Sequence, residues 1–342
     1  YTPAIYRALA SDLASQLAVR SAIATLELFA TKWPLHPDLP GVRDDLVGER
    51  MRLWITTRSS DDLMGVFRAR EAVWTDLAGS SPWVAANRAS QETVDRALGL
   101  ARSTAFVAAR DATNLARTEL ARGPRGYEGA LLWLDAADRA WSAHLRLGGS
   151  EIDSFEGERE IAESRRAQIA IRLARGRNVT TDRYDAAVAA AKTLRDRKDG
   201  RGRERGAALL VEIADLRVDA ARRTASVDAL RALVRDAVRA RDDYVHLVTG
   251  DEWDTRRAER EYEAAEMLFD AGITDEAEHR ADRIYRARCK KSKAAFRAWL
   301  LLVKIADADK VKRGALLALE HAAATSCAMD DTDRAMAAAL PR

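Results

Sequence analysis

The sequence predicts an all-α protein, and three observations carry that prediction. Only seven of the 342 residues are proline, at 3, 34, 37, 40, 82, 124 and 341, and none falls between Pro124 and Pro341. A fold rich in turns needs many more such residues. Alanine, leucine and arginine, all strong helix formers, dominate the composition. Apolar residues recur at three- and four-residue spacing along almost the whole chain, and no run alternates long enough for a strand. Hydrophobic residues make up 47% of the chain, enough for a core, while aromatics are only 6%. That balance calls for helices packed closely through small side chains.

Taken in order, helices are expected at 3–15, 18–32, 40–55, 60–77, 82–99, 102–121, 127–147, 153–174, 181–196, 203–222, 226–247, 252–270, 274–289, 292–306, 309–326 and 331–338. Ser60 with Asp61 and Asp62 looks like a cap followed by acids in the first turn, where the helix dipole favours them. Ser81-Pro82 is a cap with proline at the first helical position. Gly79, Gly123, Gly148-Gly149, Gly200, Gly250 and Gly272 stand where helices should end. The result is about eight antiparallel pairs joined by short turns. Every helix carries Arg, Asp or Glu on part of its circumference, so none is buried all round as the centre of a single bundle would require. Stacked pairs forming a right-handed superhelix fit better. The expected division is 1–124 and 125–342, continuous in one array.

Four segments resemble tetratricopeptide (TPR) repeats. Ala271-Gly272-Ile273-Thr274-Asp275-Glu276-Ala277 is similar to the family's turn, with glycine closing one helix and a small residue soon after the next begins. Gly126-Tyr127-Glu128-Gly129-Ala130, continuing through Leu134 and Ala137, and Arg183-Tyr184-Asp185-Ala186-Ala187 repeat the small–large–small pattern. Ala22 to Asp38, with Trp33-Pro34-Leu35-His36-Pro37, resembles a junction of TPR proteins in the bacterial envelope. The small residues let paired helices approach, and large neighbours fill the groove. At about 43 residues per pair, from 342 residues in eight pairs, the helices are long for this family. The resemblance implies a TPR-like solenoid acting as a protein-binding scaffold, with a protein or peptide partner and no cofactor. The envelope-type junction implies a periplasmic, envelope-associated or membrane-complex subunit of a Gram-negative bacterium, whose GC-rich genome is read from the excess of arginine over lysine. Tyr1 in place of Met fits a removed leader or an upstream region. A cytoplasmic adaptor or regulatory TPR domain is the alternative.

Charge and motifs exclude more than they name. Fifty-six basic against 53 acidic residues give +3, too balanced to demand a nucleic-acid partner. Forty-seven arginines against nine lysines read mainly as base composition of the genome. No apolar stretch is long enough to span a membrane. There is no Gly-x-Ser-x-Gly, no His-Glu-x-x-His and no phosphate-binding Gly-Lys-Ser/Thr, so no enzyme class is indicated. Gly200-Arg201-Gly202-Arg203-Glu204-Arg205-Gly206 follows a helix and reads as a solvated loop. Asp330-Asp331-Thr332-Asp333 lacks the glycine and terminal glutamate of a calcium loop. His36, His144, His246, His279 and His321 are not spaced for a helical metal site and read as surface or turn residues, so no metal is expected. Trp54, Trp74, Trp133, Trp141 and Trp299 read as core stripes.

Two features remain as candidate sites. Between Arg280 and Arg297 lie eight basic residues and one acid, Asp282. Arg283, Arg286, Lys290, Lys291 and Lys293 are the partner-binding candidates there, with Trp253 added because Glu252 and Asp254 flank it. The run is open to two readings: a solvated face paired with acids of neighbouring helices, or a surface for an anionic partner. Cys289 and Cys327 end the second helices of successive pairs, so they are either bonded or two unrelated thiols. An oxidising compartment would favour the bond.

Overall fold

The computed structural model describes residues 2–148, 150–247, 253–288 and 292–308. Among them are fourteen α-helices: α1 (Pro3–Ser15), α2 (Val19–Lys32), α3 (Leu39–Thr57), α4 (Ser60–Asp76), α5 (Pro82–Asn87), α6 (Gln91–Leu120), α7 (Tyr127–Arg146), α8 (Glu151–Ala174), α9 (Thr181–Arg195), α10 (Gly200–Ala221), α11 (Val227–Leu247), α12 (Trp253–Asp270), α13 (Thr274–Arg288) and α14 (Lys293–Ala308). Neighbours in sequence pack as antiparallel hairpins, as expected. The helices expected at 309–326 and 331–338, and the Asp330–Asp333 segment, lie outside the described residues. Among the described residues no helix is long and apolar enough to cross a membrane.

The chain divides into two compact units, 1–171 and 172–342. Position 124 lies inside the first, in a 3-10 turn (Gly123–Gly126) joining α6 to α7. That unit holds a cluster of Ile23, Leu26, Phe29, Val42, Leu46 and Leu53 from α2 and α3. It also carries a long alanine contact: Ala101, Ala105, Ala108, Ala109 and Ala112 of α6 and Ala130, Ala137 and Ala140 of α7 are all buried. The second unit is built around Val234, Leu268, Ile284, Phe296, Trp299 and Leu302.

The small residues of the repeat-like segments sit at the helix contacts, with Ala130, Ala187 and Ala277 each 0% exposed. Trp133 and Trp141 are core, the Trp141 indole donating to Thr113 Oγ1 at 3.2 Å. Trp74 and Trp299 are buried too, whereas Trp54 is only half-buried, with Arg58 over its ring. Gly272 closes α12 with φ +69°, and the Ile273 amide reaches back to the Leu268 carbonyl at 2.9 Å.

Four local expectations are corrected. The N-cap of α4 is Ser59, not Ser60; its hydroxyl accepts from the Asp61 amide at 3.2 Å. The break expected at 100–101 falls at 88–90. Trp83 donates to the His36 carbonyl at 2.8 Å and Asn87 to the Leu35 carbonyl at 3.1 Å, which pins α5 as a short separate helix. Gly99 then lies inside α6, whose alanine stripe runs on unbroken against α7. The glycine-rich segment at 200–206 is not a loop but the first two turns of α10, capped by Asp199, which accepts from the Gly202 amide at 2.6 Å. A Cβ on Gly206 would lie 2.3 Å from the Arg195 backbone nitrogen, so glycine is what allows α9 and α10 to cross there. His144 is not a surface histidine. It is 3% exposed, packed on Phe106 and Trp141, with Nδ1 3.2 Å from the Arg102 carbonyl.

Arginine also has a structural use that base composition does not convey. Arg7–Asp45 (3.2 Å), Arg70–Asp111 (2.7 Å), Arg117–Glu160 (2.7 Å), Arg235–Glu276 (3.0 Å) and Arg280–Asp242 (2.6 Å) each join helices one hairpin apart. Their sequence separations are 38, 41, 43, 41 and 38 residues. That recurring step is the length of one helical hairpin, read from its ion pairs. The guanidinium's rigid fork suits such bridging better than an ammonium does.

Candidate functional site: grooves over α10 and α2

Alternate helices flank a groove wherever a third helix forms the floor between them. In the second unit α9 and α11 flank α10. The alanine face of α9 (Ala187, Ala190, Ala191) and Gly206 bring α9 and α10 together. The apolar band of α10 is wider than that contact consumes: Leu209, Val211 and Ile213 are buried, while Leu210 and Ala214 stay half-buried. With Val188 and Leu233 they floor a cleft of about 370 Å³. Its rim carries four cations, Lys192, Arg195, Arg217 and Arg239, and two carboxylates, Asp236 and Asp243. Arg195 is held by Asp196 at 2.8 Å, Arg239 by Asp236, and Arg217 lies over the Tyr184 ring at 5.6 Å. Lys192 is exposed and has no partner among the described residues.

Beside this cleft runs a buried ion network. Arg241, 5% exposed, reaches Asp215 at 2.7 Å and lies 3.8 Å from Glu263, which Arg260 holds at 2.8 Å. Burial pushes the Asp215 carboxyl above the usual carboxylate range, outweighing the pull of Arg241.

In the first unit the cleft over α2, between α1 and α3, measures about 860 Å³ and carries Asp44, Asp45 and Glu49 with Arg7 and Arg52. A third cleft, of about 770 Å³, lies among α4, α7 and α8, and its charges largely answer one another. Arg139 bridges Glu71 and Asp135, and Arg165 forks onto Asp138 at 2.9 and 3.0 Å.

The basic run has a different character from these clefts. Arg280 forks onto Asp242 of α11 at 2.8 and 2.6 Å, Arg283 stands 4.0 Å from Glu261, and exposed Arg286 pairs with Asp282 at 2.8 Å. Lys293 is the first residue of α14. Lys290, Lys291, Cys289 and Cys327 lie outside the described residues, and so does the side chain of Trp253, the first residue of α12. Among the described residues no group of three or more His, Cys, Asp or Glu side chains is placed to hold a metal ion.

Comparison with protein-family models and with curated proteins gives no match. Among solved structures, the crystal structure of yeast Tom70, a TPR protein, is similar over 93% of this chain and 98% of that chain, at 10% identity and a TM-score of 0.17.

Sequence reasoning passed over the α9–α11 cleft because its residues come from three helices, none unusual alone. The signal was the crowded apolar stretch Leu209-Leu210-Val211 followed by Ile213-Ala214, more than one helix contact uses.

Proposed function

We propose that the protein is a non-catalytic protein-binding scaffold, and that the cleft over α10 receives an acidic segment of a protein partner carrying an apolar anchor. The observation that supports this is the half-buried apolar floor whose rim carries Lys192, unpartnered among the described residues, with Arg195, Arg217 and Arg239, four cations against the two carboxylates Asp236 and Asp243. An apolar side chain gains by leaving water on such a floor, and the cationic rim steers and orients carboxylates beside it. A capped amphipathic peptide of leucine and glutamate should bind, measured by fluorescence anisotropy, and an excess of its leucine–lysine counterpart should not displace it. Lys192→Glu and Arg239→Glu, both at exposed positions, should weaken binding several-fold at low salt and leave the helical signal intact. Equal binding by these variants, or no binding of the acidic peptide, overturns the reading.

The run at 280–297 is proposed as a second rim of the same sign. Reversing Arg283, Arg286 and Lys290 to Glu should weaken capture of an identified acidic partner, and an unchanged affinity at low salt reduces the run to a solvated face. The extracytoplasmic setting is likewise a proposal. Non-reducing peptide mapping of protein from its native compartment should give a Cys289–Cys327 bond, and two free thiols remove its covalent support.

A further inference from the structure

The cleft over α2, in the other unit, has chemistry of the opposite sign. Glu49 is only 8% exposed. Its Oε1 meets Arg52 at 3.2 Å, but Oε2 is closed off from solvent and has no hydrogen-bond donor. A buried carboxylate oxygen without a donor is costly, and the cost is recovered only when an N–H reaches it. The two arginines nearby are already committed, Arg52 to Glu49 Oε1 and Arg7 to Asp45 at 3.2 Å. Asp44, exposed and unpaired among the described residues, is left facing the same space. Next to Glu49 the wall of α3 is bare, for a Cβ on Gly48 would meet nothing within 4 Å. Ala10 and Ala14 of α1 form the opposite wall and Leu26 of α2 the floor.

We infer that this cleft binds a basic peptide segment. As the Glu49 carboxylate swings toward the cleft, a lysine or arginine side chain lays its methylene stem along Ala10, Ala14 and Leu26 and donates an N–H to Oε2. Long cationic side chains bury their stems in this way while the charge finds a partner. Asp44 draws the approaching cation and faces the next basic residue. A carboxylate oxygen takes its strongest hydrogen bond from a charged N–H, and a cleft of about 860 Å³ is larger than a single ammonium group fills, which favours a chain segment over a small ion. The site lies in the other unit from the cleft over α10 and takes a partner of opposite charge, so either proposal can fail without the other.

The test uses the full chain and a capped alanine–lysine peptide, read by isothermal titration, with the alanine–glutamate peptide and spermine as comparisons. The lysine peptide should bind and the glutamate peptide should not bind at this cleft. Glu49→Gln should weaken the lysine peptide by about tenfold or more, since a buried charge partner is lost. Asp44→Lys, at an exposed position, should weaken it several-fold. Gly48→Leu should abolish binding by filling the open wall, yet keep or raise thermal stability, because glycine in an exposed helix interior is unfavourable. That variant separates a blocked cleft from a damaged fold. Glu92→Lys, an equal charge change on α6, should leave affinity within about twofold. Unchanged affinity in Gly48→Leu and Asp44→Lys, equal loss in Glu92→Lys, or spermine binding as tightly as the peptide would overturn the proposal.

Discussion

At the scale of single residues, the charges of this protein do two different things. Exposed pairs such as Arg96–Glu92 contribute little, whereas Arg241 is buried between Asp215 and Glu263. Removing the guanidinium as Arg241→Met should leave two carboxylates facing one another and cost about 3 kcal/mol in urea unfolding at neutral pH. Asp215→Asn keeps a neutral acceptor for Arg241 and should cost much less, within about 1 kcal/mol. The pH dependence follows from the raised Asp215 carboxyl. A group with a raised folded pKa binds its proton more tightly folded than unfolded, so its ionisation erodes stability as pH rises from the ordinary carboxylate value through the raised one. Going down from neutral pH towards about 4, the Asp215 contribution should therefore increase, and Asp215→Asn should lose that component. Much of the Arg241→Met deficit should also return as Asp215 takes up its proton. A deficit that stays constant across this range would show that the carboxyl is not the titrating group.

At the scale of elements, two glycines inside helices should answer oppositely to the same change. Gly206 sits against the backbone of Arg195, where a Cβ would come within 2.3 Å. Gly206→Ala should push α9 from α10 and cost about 1–3 kcal/mol, as overpacking does. Gly48 faces open space on α3, so Gly48→Ala should gain up to about 1 kcal/mol from helix propensity alone. Chemical denaturation of both variants checks the pair, and a loss at Gly48 would mean the α3 wall is not open. This contrast marks how far the sequence could be read. Periodicity, caps and closing glycines located most helices within a few residues, because those signals are local. The sequence of 200–206 looks like a loop only until one knows that α9 crosses it. Likewise the α5–α6 break depends on Trp83 and Asn87 reaching back to the Leu35–His36 turn, a contact some fifty residues away. The clefts were illegible for the same reason. Lys192 and Leu233, or Ala14 and Glu49, share a surface only after three helices have packed, and the basic run drew attention because it is contiguous in sequence.

At the scale of the whole molecule, the net charge of +3 conceals clefts of opposite sign, cationic over α10 and anionic over α2. Each belongs to a unit with its own core, one around Phe29 and Leu46, the other around Leu268 and Phe296. Within each unit helices pack chiefly on neighbours in the chain. In such an architecture stability is close to a sum of hairpin terms and nearest-neighbour interface terms, so damage spreads to adjoining helices and fades. Local openings then span a range of free energies instead of sharing one global value. Gly206→Leu, which forces a larger group into the α9–α10 crossing, is the variant to use. Native-state hydrogen exchange should show loss of protection across α9, α10 and α11. The amides of α6 and α7, held by their own alanine contact, should keep their wild-type exchange rates. Protection lost in step across α6, α7 and α10 would mean instead that the chain opens as one cooperative body, and that the division near residue 171 is geometric without being energetic.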